Sequence, residues 1–373
     1  MKESEAAISP PCETAGKTAV LTCANGCGYA IGGDVIAATG HNYVDGTCDI
    51  CGATNKTEPL KFIGSTTVAL QNSIALQFVI DPDLNDDGIL ELIGNDNVAV
   101  ITKLNKSTGA WEPYCEIPQS DWGEYNGNRF VAACQIAARQ MTDEFKIILV
   151  NNAGDQISIE YSDSGRAYGM RAADTLIKQA PTNATKAKQL TMFVDFLNYG
   201  AAAQINFGYN TDDLANSQLT DEQRAYATAS VTIDNKRTGA GSSQVNVKDR
   251  IELSFLFPQD LVKNNMYAVI TYTHFTGVEE VVTIQGADFD TYTNNKGVTQ
   301  WKLQVPNIGT PDGDQLITCV VYDANGNEVT SAQDSVNSYM SRVLEATTAK
   351  AELKALATAA LKLTTSSYAF FKK

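Results

Sequence analysis

Two closely spaced cysteine pairs near the N-terminus are the residues best suited to chemistry. Each pair is followed at once by a glycine, Gly28 or Gly52, which lets backbone amides turn toward the sulfurs. Two thiolates on a tight turn aimed at one ion are typical of a zinc knuckle, and two knuckles complete a tetrahedral site. The pattern therefore predicts a structural zinc site. The predicted ligands are Cys23, Cys27, Cys48 and Cys51.

Other ligand sets remain open for this cysteine-rich head. Cys12 and His41 lie in the same stretch, and either could replace one of the four thiolates or contribute to a second, incomplete site. Disulfides are the main competitor, because a surface protein meets an oxidising medium. A module this short buries little apolar surface, so metal or disulfides must stabilise it. We expect the head to be a structural element rather than a catalytic one.

An acidic turn further along has the first half of a calcium-binding loop. Acidic or amide residues occupy positions 1, 3 and 5, and Gly88 occupies position 6. Position 12, where a bidentate glutamate belongs, is Gly94. A weak calcium loop and an acidic turn in solvent both fit this pattern. The candidate oxygen ligands are Asp83, Asn85, Asp87 and Glu91.

Four aromatic residues lie within one 15-residue stretch, where flat rings could stack against the C–H faces of sugars. The last two of them recur as Phe289 and Tyr292 in a second copy of the unit, which favours a structural role for that pair. The first two have no counterpart and are better candidates for a site special to the first copy. The candidate ligand-binding residues are Trp111, Tyr114, Trp122 and Tyr125.

The residues needed for nucleophilic catalysis are scarce. The chain has two histidines, His41 and His274, and a Ser-His-Asp or Cys-His arrangement requires one. His274 lies in a strand-like run and has no counterpart in the other copy. We therefore expect no enzymatic activity. The remaining cysteines lie in apolar strand contexts and are expected to be buried thiols, with a Cys115–Cys134 disulfide as the alternative.

Beyond residue 58 the chain contains two copies of one unit. The strand-like segment 73–78 corresponds to 250–255, and both alternate apolar with polar residues. Further on, three polar residues recur at a constant offset of 171. These matched residues are Asp163, Tyr168 and Arg171 in the first copy and Asp334, Tyr339 and Arg342 in the second.

Each copy is predicted to be a set of strands followed by two helices. The first helix of the first copy is expected over 163–178 with Asp163 as its N-cap, and the second over 184–207. A capping box at 220–223 predicts a short helix between the copies. The fold class is therefore mainly β with α (α+β). The expected segments are a zinc-ribbon-like module (1–57), a first β-sandwich with helices (58–211), a helical linker (212–229) and a second β-sandwich with helices (230–373).

Composition excludes several classes of partner. The 373 residues carry a formal net charge of −15, which repels phosphate backbones, so we expect no nucleic-acid partner. No apolar run approaches the length of a transmembrane helix, and we expect no membrane span. The N-terminus lacks the apolar stretch of a secretory signal. The low charged fraction of 19% and the Asn-, Thr-, Ser- and Gly-rich strands nevertheless favour a secreted or cell-surface protein.

The stretch 40–53 combines Gly40, His41 and Tyr43 with the Cys48–Cys51 pair and the Gly52-Ala53 that follows. It resembles a zinc-ribbon-like module that recurs in large secreted and cell-surface proteins of gut Clostridia. The segments 12–16 and 193–216 are similar to parts of the same kind of protein. The resemblance implies a cell-exterior location and a modular architecture, and it implies no activity.

Together these patterns favour a non-catalytic, extracellular or cell-surface modular protein that acts as an adhesion, spacer or interaction module. Duplication without a repeated catalytic constellation supports this interpretation. One alternative is a carbohydrate-binding surface protein that uses the aromatic residues of the first copy. Another is a surface protein that binds a host protein through a sheet edge or a helix face. The expected partners are therefore an unidentified glycan or a host or cell-surface protein.

Overall fold

A computed structural model gives the fold of the chain, which divides into two compact units, Met1–Leu60 and Lys61–Lys373. Predicted residues 83, 85, 87 and 91 of the calcium loop and residue 27 of the zinc site lie outside the described residues. The structure describes residues 1–9, 12, 14–24, 30–44, 47–51, 63–70, 74–82, 96–127, 129–248 and 251–372.

The N-terminal unit consists of short antiparallel strands. β1, β3 and β4 form one sheet, β2 pairs with β5, and β6 pairs with β7 as a hairpin. The strand bounds are β1 Lys2–Glu5, β2 Gly16–Lys17, β3 Val20–Thr22, β4 Ala30–Gly32, β5 Val35–Ile36, β6 Tyr43–Val44 and β7 Thr47–Cys48. None of the three sheet strands contains a buried residue, so apolar packing contributes little to this unit.

The first copy in the larger unit is a sandwich of two antiparallel four-stranded sheets. Its strands are β8 Ile63–Ala69, β9 Ala75–Ile80, β10 Val98–Leu104, β11 Trp111–Pro118, β12 Gly123–Tyr125, β13 Arg129–Gln135, β14 Phe145–Val150 and β15 Tyr161–Asp163. One sheet has the order β11-β10-β14-β15 and the other the order β12-β13-β9-β8.

The second copy repeats this order. Its strands are β16 Thr238–Gly239, β17 Ser242–Asn246, β18 Glu252–Pro258, β19 Tyr267–Thr273, β20 Glu279–Gln285, β21 Asp290–Thr293, β22 Thr299–Gln304, β23 Ile317–Tyr322 and β24 Glu328–Asp334. One sheet has the order β20-β19-β23-β24-β16 and the other β21-β22-β18-β17. Apart from the added edge strand β16, the two copies have the same strand topology.

Each sandwich is followed by two helices, and a short helix lies between the copies. The helices are α1 Gly165–Leu176, α2 Ala184–Phe207, α3 Asp221–Arg224, α4 Val336–Glu345 and α5 Ala351–Phe371. The structure thus confirms the predicted fold class, a small zinc-ribbon-like head with two tandem β-sandwiches that each end in a helical pair. It also confirms the predicted helix over 184–207 and the capping box of Thr220 with Gln223.

Period-two alternation explains how the sandwiches form. In β14 the side chains of Phe145, Ile147 and Leu149 are fully buried while their neighbours are partly exposed. In β23 the alternate residues Ile317 and Val321 are buried in the same way. Because successive side chains in a strand point to opposite faces, this alternation places one face of each strand in the core.

A buried carboxylate ties the two sheets of the first sandwich to its first helix. Asp163 is the last residue of β15, and its two carboxylate oxygens accept from the fork of the Arg171 guanidinium in α1. The same carboxylate accepts from the hydroxyl of Thr66 in β8, on the other sheet, and from the backbone N–H of Ser164 at 2.8 Å. One side chain therefore holds three elements together.

The second sandwich contains the same network. Asp334 ends β24 and accepts from both terminal nitrogens of Arg342 in α4, from the Ser243 hydroxyl in β17 and from the N–H of Ser335 at 2.9 Å. Burial by itself raises the pKa of Asp334, but the hydrogen bonds from Arg342, Ser243 and Ser338 outweigh it and leave that pKa below its ordinary value. The carboxylate is therefore charged and paired at neutral pH.

The start of α1 differs by one residue from the prediction. The N-cap is Ser164, whose Oγ accepts from the Ala167 N–H at 3.0 Å, and not Asp163. Asp163 cannot serve as the cap because its carboxylate is engaged by Arg171 and Thr66. In the second copy Ser335 caps α4 in the same way.

The long second helices, α2 and α5, pack against each other and connect the copies. Asp195 of α2 is fully buried and accepts from the N–H of Thr228, at 3.2 Å, and from its hydroxyl. The nearby Ser366 hydroxyl of α5 also acts to lower the pKa of this carboxylate. Burial raises the pKa of Asp195 above its usual value, although these donors partly oppose the shift. The carboxylate links α2 to the chain between the copies.

The two arginines differ in exposure, and this difference predicts unequal effects. The Arg342 side chain is 23% exposed and that of Arg171 is 55% exposed. We expect Arg342→Met to lower the free energy of unfolding by about 3 kcal/mol, because it leaves a buried carboxylate unpaired. The matched Arg171→Met should cost about 1 kcal/mol, because water replaces more of the lost contacts.

Urea unfolding monitored by circular dichroism measures both values. A larger loss of unfolding free energy in Arg171→Met than in Arg342→Met would contradict this prediction.

Because the pKa of Asp334 is lowered in the fold, the contribution of Asp334 to stability is present at neutral pH and is lost as the pH falls below about 4. The Arg342→Met variant should therefore lose less stability than the parent over that acid range.

Candidate metal centre

Four potential ligands converge in the N-terminal unit: Cys12, His41, Cys48 and Cys51. Their ligand atoms all lie within 4.8 Å of one another. The Sγ atoms of Cys12 and Cys48 are 3.6 Å apart, and the Sγ of Cys51 is 3.3 Å from Nδ1 of His41. Cys12 and Cys48 are buried, whereas Cys51 is exposed. Three thiols and one imidazole form the kind of donor set that proteins offer to zinc.

The local backbone brings these residues together. Cys48 ends the second strand of the β6–β7 hairpin, and Cys51 follows in the next turn. The N–H of Gly40 donates to the carbonyl of Cys12 at 3.0 Å and so holds Cys12 beside His41. The hairpin and this single backbone contact place all four ligands around one point.

Two further hydrogen bonds close the loop that carries His41, Cys48 and Cys51. The side-chain amide of Asn42 donates to the carboxylate of Asp49 at 2.8 Å, and the N–H of Asp49 donates to the carbonyl of Asn42 at 3.0 Å. Asn42 and Asp49 each adjoin a candidate ligand. Such supporting contacts fix the orientation of metal ligands.

Two of the distances between ligand atoms fit a tetrahedral metal site. With zinc–sulfur bonds of about 2.3 Å and zinc–nitrogen bonds of about 2.0 Å, tetrahedral ligands stand ~3.8 Å apart for two sulfurs and ~3.5 Å apart for sulfur and nitrogen. The observed separations of 3.6 and 3.3 Å lie close to these values. A disulfide would require sulfurs about 2.05 Å apart, so Cys12 and Cys48 are not bonded to each other.

The thiols of Cys12 and Cys48 have pKa values shifted in opposite directions. Desolvation and the neighbouring thiols of Cys51 and Cys48 raise the pKa of Cys12 to about 12. Desolvation also acts to raise the pKa of Cys48, but hydrogen bonds from the backbones of Cys51 and Ile50 and from His41 lower it to about 6. The site therefore presents Cys48 as a thiolate, and a bound cation would displace the proton of Cys12.

The cluster among the described residues contains Cys48 and Cys51 of the four predicted cysteines, together with Cys12 and His41, which the sequence offered as alternatives. A role of Cys23 and Cys27 as ligands stays a prediction. Cys23 lies outside this group, and Cys27 lies outside the described residues. The pairing of Cys12 with residue 40 depends on a contact between distant segments, which local spacing cannot reveal.

The predicted aromatic residues lie on different sheets. Trp111 and Tyr114 belong to β11, and Tyr125 belongs to β12 in the opposite sheet. Lys146 Nζ stands 4.7 Å from the centroid of the Trp111 ring. Tyr114 donates its hydroxyl to the carbonyl of Gln135 at 3.0 Å. The Trp111 ring thus contacts a residue of its own sheet, whereas the Tyr114 hydroxyl reaches β13 in the opposite sheet.

Trp122 is a core residue. Its side chain is buried, its indole N–H donates to the carbonyl of Ile117 at 3.1 Å, and its ring lies 6.5 Å from that of Phe130. In the second copy Phe289 contacts Trp301 in the same place with the two ring types exchanged. A buried ring offers no face to a sugar, so Trp122 is not suited to stacking, whereas Trp111, Tyr114 and Tyr125 keep exposed surface.

The cysteines outside the N-terminal unit and His274 lie in contacts that stabilise the fold. The Sγ atoms of Cys115 and Cys134 are 3.9 Å apart and the two residues are free thiols, as is the buried Cys319. Nδ1 of His274 lies 3.0 Å from the carboxylate of Asp312, which also accepts from the N–H of Phe275 at 2.7 Å. Asp312 therefore holds the turn that carries His274.

No family model matches the chain, and no curated protein sequence matches it. Across the described residues, every helix is too short or too polar to cross a lipid bilayer.

Single substitutions distinguish the two ligand sets. We expect Cys12→Ser and Cys51→Ser to lose bound zinc, because each removes one of four ligands, while Cys23→Ser keeps it. Zinc content is measured by elemental analysis after purification in zinc and gel filtration. Thiol titration of the unfolded parent with and without chelator shows whether the head cysteines are reduced.

Equal zinc loss in Cys23→Ser and Cys12→Ser would contradict the assigned set. Missing thiols without metal would show a disulfide head instead. Cys319→Ser is the matched control, since Cys319 is buried in the second sandwich and should leave the zinc content unchanged.

Proposed function

We propose that this chain is a non-catalytic module of the bacterial cell exterior, in which a zinc-stabilised head precedes a tandem sandwich that serves adhesion, spacing or interaction. The Cys12, His41, Cys48 and Cys51 cluster supports the zinc. The resemblance of residues 40–53 to modules of gut Clostridial surface proteins supports the location. The zinc would act as a structural ion that replaces a hydrophobic core in a unit with little buried surface.

One observation carries the non-catalytic part of the proposal. The aspartate and arginine that recur in both copies are paired with each other inside the fold, so neither is free to act on a substrate. Asp163 is occupied by Arg171 and Thr66, and Asp334 by Arg342 and Ser243. Duplication has therefore kept the groups that hold a helix to two sheets. Two copies that share structural residues but differ on their surfaces are better suited to binding or spacing than to catalysis of one common reaction.

Carbohydrate binding is the second candidate, favoured by the exposed parts of Trp111 and Tyr125. Host-protein binding is the third. It is supported by β20, an edge strand whose Val281 side chain is largely exposed. These alternatives share the exterior location and differ in the surface that they use.

Protease treatment of intact cells tests the exterior location. Peptides from this chain should be released from whole cells of the source bacterium or recovered from the culture medium, since an exterior protein is accessible without lysis. A cytoplasmic enzyme processed in parallel controls for cell integrity. Recovery of these peptides only after lysis would refute the proposal.

Tryptophan fluorescence separates the glycan alternative from the others. A glycan that stacks on the exposed ring should shift the emission of the parent and of Trp122→Phe, but not of Trp111→Phe. If a glycan panel gives no shift, adhesion or interaction through protein surfaces is supported. A shift that persists in Trp111→Phe would exclude Trp111 as the contact.

A further inference from the structure

Two free thiols face each other across the first sandwich. Cys115 belongs to β11 and Cys134 to β13, which lie in opposite sheets, and their Sγ atoms are 3.9 Å apart. Cys134 is fully buried, whereas Cys115 is partly exposed. Sulfurs in a disulfide stand about 2.05 Å apart. Each sulfur would therefore move by only about 1 Å, which a small rotation of the side chain supplies.

A bulge in β11 directs Cys115 toward the opposite sheet. Tyr114 is the extra residue of this bulge, because the residues on either side of it pair with β10 and it does not. Successive side chains of a regular strand point to opposite faces. Here the Tyr114 ring lies 4.9 Å from the buried ring of Phe145, and the next side chain, Cys115, contacts Cys134. The bulge thus turns two consecutive side chains toward the interior of the sandwich.

A hydrogen bond beside the two cysteines holds their strands together. The Tyr114 hydroxyl donates to the carbonyl of Gln135 at 3.0 Å. It joins the residue before Cys115 to the residue after Cys134. The fold therefore brings the two sulfurs together before any covalent bond forms, and this proximity favours a reaction between them.

The second copy has neither thiol at the corresponding places. By strand register, Val282 of β20 is the counterpart of Cys115, and Val305 is the counterpart of Cys134. The pairing of β19 with β20 also lacks the register shift. Apolar side chains of similar size fill both positions, so packing alone does not require the cysteines. The bulge and the two thiols occur together in the first copy.

The two thiols differ in acidity. The hydrogen bond with Cys134 lowers the pKa of Cys115, although burial opposes this shift. The same contact and burial raise the pKa of Cys134. Cys115 therefore ionises first, and it is also the thiol that reaches solvent. Because the thiolate is the form that attacks a disulfide, Cys115 is the nucleophile of the pair.

We propose that Cys115 and Cys134 are a redox-active dithiol, which a low-molecular-weight disulfide converts into a disulfide between the two sheets. The Cys115 thiolate attacks one sulfur of the small disulfide, which forms a mixed disulfide and releases one small thiolate. Cys134 then attacks Sγ of Cys115 and releases the second small thiolate. The protons of the two cysteines pass to the departing thiolates. The protein thus loses two electrons and two protons, and the small disulfide is reduced to two thiols.

Peptide mapping of the full chain tests the proposal. Trypsin cleaves after Arg129, so Cys115 falls in the peptide 107–129 and Cys134 in the peptide 130–139, each with a single cysteine. The native protein is treated with oxidised glutathione, and the remaining thiols are blocked with iodoacetamide before digestion. We expect mass spectrometry to find the two peptides linked, and dithiothreitol to separate them.

Valine variants give the matched comparison, since the second copy carries valine at both corresponding places. Cys115→Val and Cys134→Val should fold, as circular dichroism checks, and should lack the linked peptides. Cys319→Val removes another buried thiol and should keep them.

Thermal unfolding measures the effect of the bond. After oxidation the parent should melt about 5 °C above Cys134→Val treated in the same way, because the disulfide restrains the unfolded chain. Dithiothreitol should remove this difference. The comparison cancels any oxidation of the cysteines in the N-terminal unit, which both proteins share.

Three results would overturn the proposal: no linked peptides from the native protein, linked peptides only after unfolding in urea, or equal melting temperatures for the oxidised parent and Cys134→Val. The bond requires a disulfide oxidant and does not depend on the release of the chain from intact cells. Failure of this proposal is therefore distinguishable from failure of the proposed function.

Discussion

A buried carboxylate at the end of the last strand holds each sandwich together. Asp163 and Asp334 stand where a strand passes into a helix, and each meets an arginine from that helix and a hydroxyl from the opposite sheet. A carboxylate in such a place is costly unless every lone pair is satisfied. The position of the helix relative to both sheets is thereby fixed, because displacement of any one element would leave a buried charge unpaired.

This constraint explains what the copies keep and what they change. Both keep the aspartate, the arginine, the serine N-cap and the strand order. Residues that only fill space are exchanged in compensating pairs, as with Met141 and Gly200 against Gly313 and Thr364. Few of the described residues in the N-terminal unit are buried, and the cluster of Cys12, His41, Cys48 and Cys51 could hold a metal there.

Much of the fold is predictable from local sequence because it depends on short-range patterns. Period-two alternation indicates the strands, the recurrence of Asp163 and Arg171 indicates the duplication, and the Thr220 capping box indicates a short helix. The sequence pattern places the cap of α1 one residue early, at Asp163, because only the tertiary contact with Thr66 shows that its carboxylate is occupied. Two members of the candidate metal cluster, Cys48 and Cys51, are predictable from their spacing as a knuckle. The selection of Cys12 and His41 depends on a backbone contact between segments far apart in sequence.

Because α2 packs against α5, the two copies are expected to unfold as one cooperative structure. Native-state hydrogen exchange followed by mass spectrometry tests it most directly. The account predicts that the most protected amides of α2 and α5 open with the same free energy and lose protection together as denaturant is added. If α5 and the second sandwich exchange at a lower denaturant concentration while α2 and the first sandwich stay protected, the copies are independent and the account is wrong.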